Sequence, residues 1–151
     1  MQDTTPVAVV VDGQPVHLWA VEAGLACCGV EYAAAATLVS QLQGQTAIDL
    51  NGFAASDSAS DSAGANVLVV SGTVTTALAP YVVALYQRMG PGARVMSFGA
   101  CAATGGPYWD SYAVVDGVDR LVPVDVYVPG CPPSPEALID GLRTLLLDVR
   151  A

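Results

Sequence analysis

Residues 67–98, VLVVSGTVTTALAPYVVALYQRMGPGARVMSF, contain a strand, a helix and a second strand in succession. The run at 67–70 is continuously apolar, as in strands of a parallel sheet that are buried on both faces. Apolar residues then recur at the spacing that places them on one helical face: Leu78, Val82, Leu85 and Met89. Pro80 suits the first turn of this helix, and Arg94–Phe98 forms the next strand. The stretch therefore predicts a strand–helix–strand unit with parallel strands.

The same pattern extends towards both ends of the chain. The other predicted elements are strands at Val7–Val11 and 15–19, a helix at 32–43, a strand at 121–128 and a helix that begins at Ser134. Asp12-Gly13 closes the first strand as a turn, and Ser134 is a good N-cap that is followed by Pro135. The order predicts one α/β domain over residues 1–151, with a mostly parallel sheet that helices cover on both faces.

The composition is apolar and acidic. Hydrophobic residues make up 53% of the 151 residues and charged residues 13%, which favours a large core and a surface partly covered by other subunits. The net charge of −9 disfavours binding to nucleic acid and to anionic lipid. Apolar runs end well before the ~20 residues that a membrane-spanning helix needs. Met1-Gln2-Asp3 lacks the basic start of a signal peptide, so we expect a cytoplasmic location unless a partner holds the chain at a membrane.

One segment has the composition of a surface loop. Residues 56–65, SDSASDSAGA, are small, polar and acidic, and they offer nothing to a core. Too little chain precedes them to form a separate domain, so we expect a flexible acidic loop at about residues 54–65 and not a linker between domains.

The four cysteines all lie beside small residues or prolines. Their surroundings are 26–29 (ACCG), 99–102 (GACA) and 130–133 (GCPP), which we interpret as loops. Two of these segments follow predicted strands, and in parallel sheets such positions form sites. Thiolates select iron–sulfur clusters, zinc or copper(I), and four of them suffice for a cubane cluster. The pattern predicts a metal site on Cys27, Cys28, Cys101 and Cys131.

Three other interpretations of these thiols stay open at this point. Cysteines are often buried free thiols with no ligand. Zinc sites with four cysteines are common, although they usually use C-x₂₋₄-C pairs, which this chain lacks. A disulfide between the neighbours Cys27 and Cys28 is sterically strained.

Four motifs resemble the B subunit of NADH-quinone oxidoreductase (complex I), a family related to the small subunits of [NiFe] hydrogenases. They are GLACCGVE at 24–31, GTVT at 72–75 with Ala79-Pro80, SFGACAATGG at 97–106 and VPVDVYVPGCPPSPEAL at 122–138. The resemblance spans about residues 18–149. The adjacent cysteine pair favours the complex I side, because the hydrogenase relatives usually separate the first two cysteines.

The resemblance implies a flavodoxin-like domain and an electron-transfer role. In that family, cysteines at the positions of Cys27, Cys28, Cys101 and Cys131 hold one [4Fe–4S] cluster. The cluster passes electrons to quinone at the interface with a hydrogenase-like large subunit. The resemblance therefore implies a peripheral subunit on the cytoplasmic side of the membrane, inactive alone, with other complex subunits as partners. The alternative functions are the small subunit of an energy-converting [NiFe] hydrogenase-type complex and a cluster-free or zinc-binding structural subunit.

Two departures from the family pattern remove positive charge. The family's D-L-x-R-F-G segment is replaced by DLNGFA at 49–54, so that Gly52 stands in place of arginine, and Ser134 replaces an arginine after the last cysteine. A nearby arginine stabilises the reduced, more negative state of a cluster. We therefore expect a lower reduction potential than in relatives.

Six further residues have weaker functional interpretations. Glu31 could assist proton-coupled redox chemistry or simply favour the start of a helix. Asp125 is more suited to structural hydrogen bonding than to catalysis. An aromatic group could line a quinone or partner pocket, or belong to a core or interface: Tyr108, Trp109 and Tyr112. His17, the only histidine, is expected at the surface or in packing.

Overall fold

A computed structural model of the chain describes residues 7–23, 27–42 and 64–150. The described strands form one five-stranded sheet in the order β1-β2-β3-β4-β5. They are β1 (Val7–Val11), β2 (Gln14–Ala23), β3 (Ala65–Gly72), β4 (Arg94–Phe98) and β5 (Val126–Val128). The first pair is antiparallel and the other three are parallel. The predicted α/β class with a mostly parallel sheet is confirmed.

Four helices accompany the sheet in the described ranges. They are α1 (Cys27–Leu42), α2 (Ala79–Met89), α3 (Ala100–Thr104) and α4 (Pro135–Arg150). Two single 3₁₀ turns lie between β4 and β5, at Gly106–Tyr108 and Val118–Arg120. None of the helices in the described ranges is both long enough and apolar enough to cross a membrane.

Strand β3 shows how the sheet buries both of its faces. Val67 and Val69 belong to one apolar cluster, whereas Leu68 and Val70 belong to the other. All four are 1% exposed or less, because side chains alternate across a strand and helices cover each side. The first cluster includes residues of α1 and α4, and the second includes residues of α2 and α3. The continuous apolar run thus predicted a doubly covered strand correctly.

The β1–β2 hairpin forms the antiparallel edge of the sheet. Val11 pairs with Gln14 across a two-residue turn, in which Asp12 has φ +49° and Gly13 has φ +79°. Two positive φ values are the requirement of the tight turn that matches strand twist. Asp12 also accepts a hydrogen bond from Arg143 Nε at 3.0 Å, which links the hairpin to α4.

Several element boundaries differ from those predicted, including that of β3, which extends beyond residues 67–70 to Ala65–Gly72. Strand β2 runs through Ala23, well past residue 19, because it pairs with the whole of β3. Helix α1 begins at Cys27 and not at Tyr32. Strand β5 keeps only the last three residues of the predicted 121–128 strand. Pro123 has no N–H to offer a sheet, which explains why pairing starts after it.

Parts of the sequence prediction lie outside the described residues. Most of the acidic loop expected at about 54–65 falls there, and so do the DLNGFA segment at 49–54 and the end of the predicted helix at Gln43. These expectations stay predictions.

Helix α4 packs on the sheet through a stripe of leucines. Leu138, Leu142 and Leu145 are 2% exposed or less. Ser134 caps the helix as predicted, because its Oγ accepts a hydrogen bond from Ala137 N at 3.3 Å. At Gly141 the helix lies so close to the sheet that an added Cβ would stand 2.8 Å from Val128 Cγ2.

Truncation of Leu142 tests how much this packing stabilises the domain. Leu142→Ala should lower the free energy of unfolding by about 2–5 kcal/mol, because it opens a cavity under α4. Leu147→Ala in the same helix is the matched control, since Leu147 is 66% exposed, and it should cost less than about 1 kcal/mol. Urea unfolding measures both values. Equal costs at the two positions would contradict the packing described for α4.

Candidate functional site

Three parallel strands lead into glycines with left-handed backbone conformations. Gly72 ends β3 with φ +90°, Gly99 follows β4 with φ +93°, and Gly130 comes shortly after β5 with φ +150°. A side chain is disfavoured at such φ values, so glycine lets the chain turn sharply at each strand end. The carboxyl edge of the sheet is therefore built from tight turns, and the cysteines lie along it.

Cys28 is the innermost of the four thiols. It is the second residue of α1 and is 1% exposed, on the same buried side of the helix as Tyr32 and Ala35. Burial, together with nearby Cys27 and Cys101, raises the pKa of Cys28 to about 11. A hydrogen bond from the backbone of Gly72 acts in the opposite direction on this pKa. Cys28 thus stands next to two other thiols and to the end of β3.

Cys101 is held in a short helix between two glycine turns. It is the second residue of α3 and is 9% exposed. Its carbonyl accepts a hydrogen bond from Gly105 N at 3.0 Å, where the chain turns back. A Cβ added at Gly106 would lie 2.8 Å from Cys101 Sγ. The missing side chain at position 106 therefore leaves room for this sulfur.

The segment that carries Cys131 is hydrogen-bonded to the start of α3. Gly99 N donates to Val128 O at 2.8 Å, and Ala100 N donates to Gly130 O at 2.9 Å. A Cβ added at Gly99 would stand 2.5 Å from Cys28 Sγ and 3.6 Å from Gly130 O. Gly99 thus lies between the Cys28 thiol and the segment before Cys131, so the segments that carry Cys28, Cys101 and Cys131 are neighbours.

The two outer thiols face away from the core. Cys27 and Cys131 are exposed, and the peptide bond between Cys131 and Pro132 is cis. Across residues 7–23, 27–42 and 64–150, no three His, Cys, Asp or Glu side chains converge closely enough to enclose a metal ion. The described structure places Cys27 and Cys101 each near Cys28 and sets Cys131 on the adjoining segment.

The interpretation of all four cysteines as loop residues is wrong for three of them. Cys27 and Cys28 open α1, and Cys101 lies inside α3. Only Cys131 is in a loop. Cys28 is helical because it lies on the buried face of α1. Cys101 is helical because Gly99 alone separates the end of β4 from the start of α3.

The other residues with functional interpretations have differing surroundings. The three aromatic residues after α3 are exposed and are not core residues: Tyr108 at 57%, Trp109 at 67% and Tyr112 at 99%. His17 lies on β2 with its ring against Gly64. Glu31 is half-buried on α1, one turn after Cys27. Asp125 forms structural hydrogen bonds, as expected.

Sequence reasoning missed the individual role of the glycines. It treated them as general loop residues, whereas Gly72, Gly99 and Gly106 each approach a particular cysteine. The available signal was positional, because Gly99 and Gly106 frame Cys101 on both sides.

The comparisons with known proteins agree on one family. The family described as NADH ubiquinone oxidoreductase, 20 Kd subunit, matches residues 26–145. The chain belongs to this family. A relative from Streptomyces griseus subsp. griseus, named as a B subunit of NADH-quinone oxidoreductase, is 45% identical over 141 residues, which cover 93% of this chain and 57% of that protein. The chain spans between 48% and 66% of the first curated B-subunit relatives that it matches.

Two solved structures resemble the fold of this family member. One belongs to an NAD⁺-reducing [NiFe]-hydrogenase in its H₂-reduced state, with a TM-score of 0.55, 20% identity, and coverage of 88% of this chain and 90% of that chain. The other is the membrane-bound sulfane sulfur reductase, an archaeal respiratory membrane complex, with a TM-score of 0.50, 35% identity, and coverage of 52% and 45%. The predicted relation to the hydrogenase small-subunit fold is confirmed.

Replacing Gly99 tests the close packing against Cys28. Gly99→Ala should destabilise the domain by about 1–3 kcal/mol through its backbone alone, and further through the clash with Cys28 Sγ. Gly92→Ala is the matched control, since Gly92 also has positive φ (+89°) but nothing within 4 Å of an added Cβ. Thermal and urea unfolding compare the two. The packing would be refuted if both substitutions had the same cost.

Proposed function

We propose that this chain holds one [4Fe–4S] cluster on Cys27, Cys28, Cys101 and Cys131. The observation that carries the proposal is the close packing at Gly99, whose absent side chain lets Cys28 Sγ approach the segment before Cys131. Four soft thiols without a competing hard ligand suit an iron–sulfur centre. The glycines beside them let backbone N–H groups approach cluster sulfurs.

The site would have one side that is shielded from solvent and one side that is accessible to another molecule. Cys28 and Cys101 are buried, so their side would be kept dry by the core that includes Phe98. Cys27 and Cys131 are exposed, so their side would be open to another molecule. When bound, the cluster would supply a carrier for one electron at a time. The chain's own contribution is to hold the thiols and to leave one side accessible.

We further propose that the chain works as an electron-relay subunit of an NADH-quinone oxidoreductase-type complex, with quinone as acceptor. Membership of the B-subunit family supports this role. Its partners would be a hydrogenase-like large subunit and other complex subunits, at the cytoplasmic side of the membrane. The exposed Tyr108, Trp109 and Tyr112, which follow the Cys101 helix, offer an apolar surface suited to such a partner.

Cysteine replacement tests the ligand set. Changing any one of the four cysteines to serine should lose or distort the cluster, because hard oxygen is a poor substitute for thiolate. Iron, zinc and acid-labile sulfide are measured on anaerobically purified protein. Ser134→Ala is the control, since it alters a residue close to Cys131 but keeps every thiol. Zinc in place of iron, or full iron in two or more cysteine variants, would refute the proposal.

The serine that replaces the family's arginine should affect the cluster potential. Ser134 is three residues beyond Cys131, so their Cα atoms are at most about 11 Å apart. A positive charge at this exposed position should stabilise the reduced state by up to about 1 kcal/mol after solvent screening. Ser134→Arg should then raise the midpoint potential by about 20–40 mV, since about 59 mV corresponds to a tenfold change in a one-electron equilibrium.

Redox titration followed by electron paramagnetic resonance measures this change. Ser134→Gln is the matched control, because it adds a similar polar length without charge and likewise loses the cap of α4. A midpoint that is the same in the Arg and Gln variants would show that this position does not tune the cluster.

A further inference from the structure

Asp125 completes the pairing of β5 with β4 at the end remote from the cysteines. Its Oδ2 accepts a hydrogen bond from Val95 N at 2.8 Å. Its own backbone N donates to Val95 O at 2.9 Å. Asp125 and Val95 are therefore joined by two hydrogen bonds. In one of them the carboxylate oxygen of Asp125 accepts from Val95 N, as a backbone carbonyl would in a strand. Asp125 extends the ladder by one step although its backbone lies before the strand.

The carboxylate is held in place by a second partner. Arg94 Nη1 donates to Asp125 Oδ1 at 3.0 Å and also approaches Asp148 Oδ2 of α4 at 3.5 Å. The side chains of Arg94 and Asp125 are 28% and 27% exposed, so solvent reaches them only in part. The orientation that presents Oδ2 to Val95 N is thus supported from the opposite side.

Strand β5 has a short backbone ladder with β4, although α4 also packs on the side chain of its Val128. It pairs with β4 through three residue pairs only, Met96↔Val126, Ser97↔Tyr127 and Phe98↔Val128. Prolines stand on both sides, at positions 123 and 129, and cannot donate to the ladder. Beyond the strand, Gly99 N and Ala100 N bind Val128 O and Gly130 O. The position of Cys131 therefore depends on a short ladder that Asp125 closes at its far end.

We propose that Asp125 is a positioning residue that fixes the register of β5 and thereby the place of Cys131 relative to Cys101. This role rests on the proposed cluster site. A slip of one residue along the ladder would move Cys131 by about 3.3 Å. Metal–ligand distances tolerate only about ±0.2 Å. Asp125 is bonded to Val95, which lies about 10 Å along β4 from Phe98, the length of three residue steps, so it acts through the strand and not through its charge.

Three substitutions separate the register effect from charge and from general destabilisation. Asp125→Ala removes both side-chain contacts. Asp125→Asn keeps an oxygen for Val95 N but removes the charge, and Arg94→Ala removes the ion pair but keeps the bond to Val95 N. Of these three variants, only Asp125→Ala should behave unlike the wild-type chain. Asp125→Glu serves as a second displaced variant if Asp125→Ala does not fold, because its carboxylate is one methylene further out.

Amide hydrogen exchange of the full, cluster-free chain gives the first measurement. In Asp125→Ala the amides of Gly99 and Ala100 should exchange about tenfold faster or more, while those of Leu68 and Val69 in β3 stay protected. Asp125→Glu should show the same change to a smaller degree. Asp125→Asn and Arg94→Ala should stay within about threefold of wild type. Wild-type exchange at Gly99 and Ala100 in both displaced variants would overturn the inference.

Cluster analysis gives the second measurement. Reconstituted Asp125→Ala should share the iron-to-sulfide ratio and paramagnetic resonance spectrum of Cys131→Ser, whereas Asp125→Asn should have the wild-type spectrum. A wild-type spectrum in Asp125→Ala would also overturn the inference. If the wild-type chain itself binds no iron, the proposed function fails, and hydrogen exchange still decides whether Asp125 sets the register.

Discussion

Gly99 is the point at which the sheet, α1 and the segment before Cys131 meet. Its missing side chain is the reason that Cys28 Sγ can approach the backbone there, since an added Cβ would lie 2.5 Å from this sulfur. Its positive φ lets α3 begin as soon as β4 ends. Two hydrogen bonds from Gly99 N and Ala100 N then bind the next strand end. The placement of the three cysteine-bearing segments therefore depends on one residue that has no side chain.

The burial of the sheet supports this arrangement. Because β3 is covered on both faces, its carboxyl end has a fixed direction, and Gly72 reaches Cys28 from it. The same first cluster includes Cys28, Phe98 and Leu138, so α1, β4 and α4 share one core directly beneath the thiols. The packing that stabilises the core is therefore also the packing that holds the cysteine site in its geometry.

The sequence predicted the elements that periodicity and turn chemistry determine. Strand β4, the Asp12-Gly13 turn, the apolar face of α2 and the Ser134 cap depend on local patterns, and all are confirmed. The start of α1 could not be predicted from propensity, because Cys27, Cys28 and Gly29 favour helix weakly, whereas the burial of Cys28 stabilises that turn. The late start of β5 likewise depends on tertiary pairing. The candidate ligands were found from the cysteines and their small neighbours, but their mutual arrangement depends on contacts such as that of Gly99 with Cys28, which join segments distant in sequence.

The contact at Gly141 has a mechanical consequence for Cys131. An added Cβ there would lie 2.8 Å from Val128 Cγ2 and 2.9 Å from Met96 Cε, so α4 can lie at this depth only with a side-chain-free position over the sheet. Gly141 is seven residues after Ser134, or about 10 Å along the helix axis. A slide or rotation of α4 as a rigid rod would push a neighbouring side chain into β4 and β5. Helix α4 therefore cannot slide along its axis without a clash with the sheet. The segment that connects Cys131 to this helix is restricted in the same way.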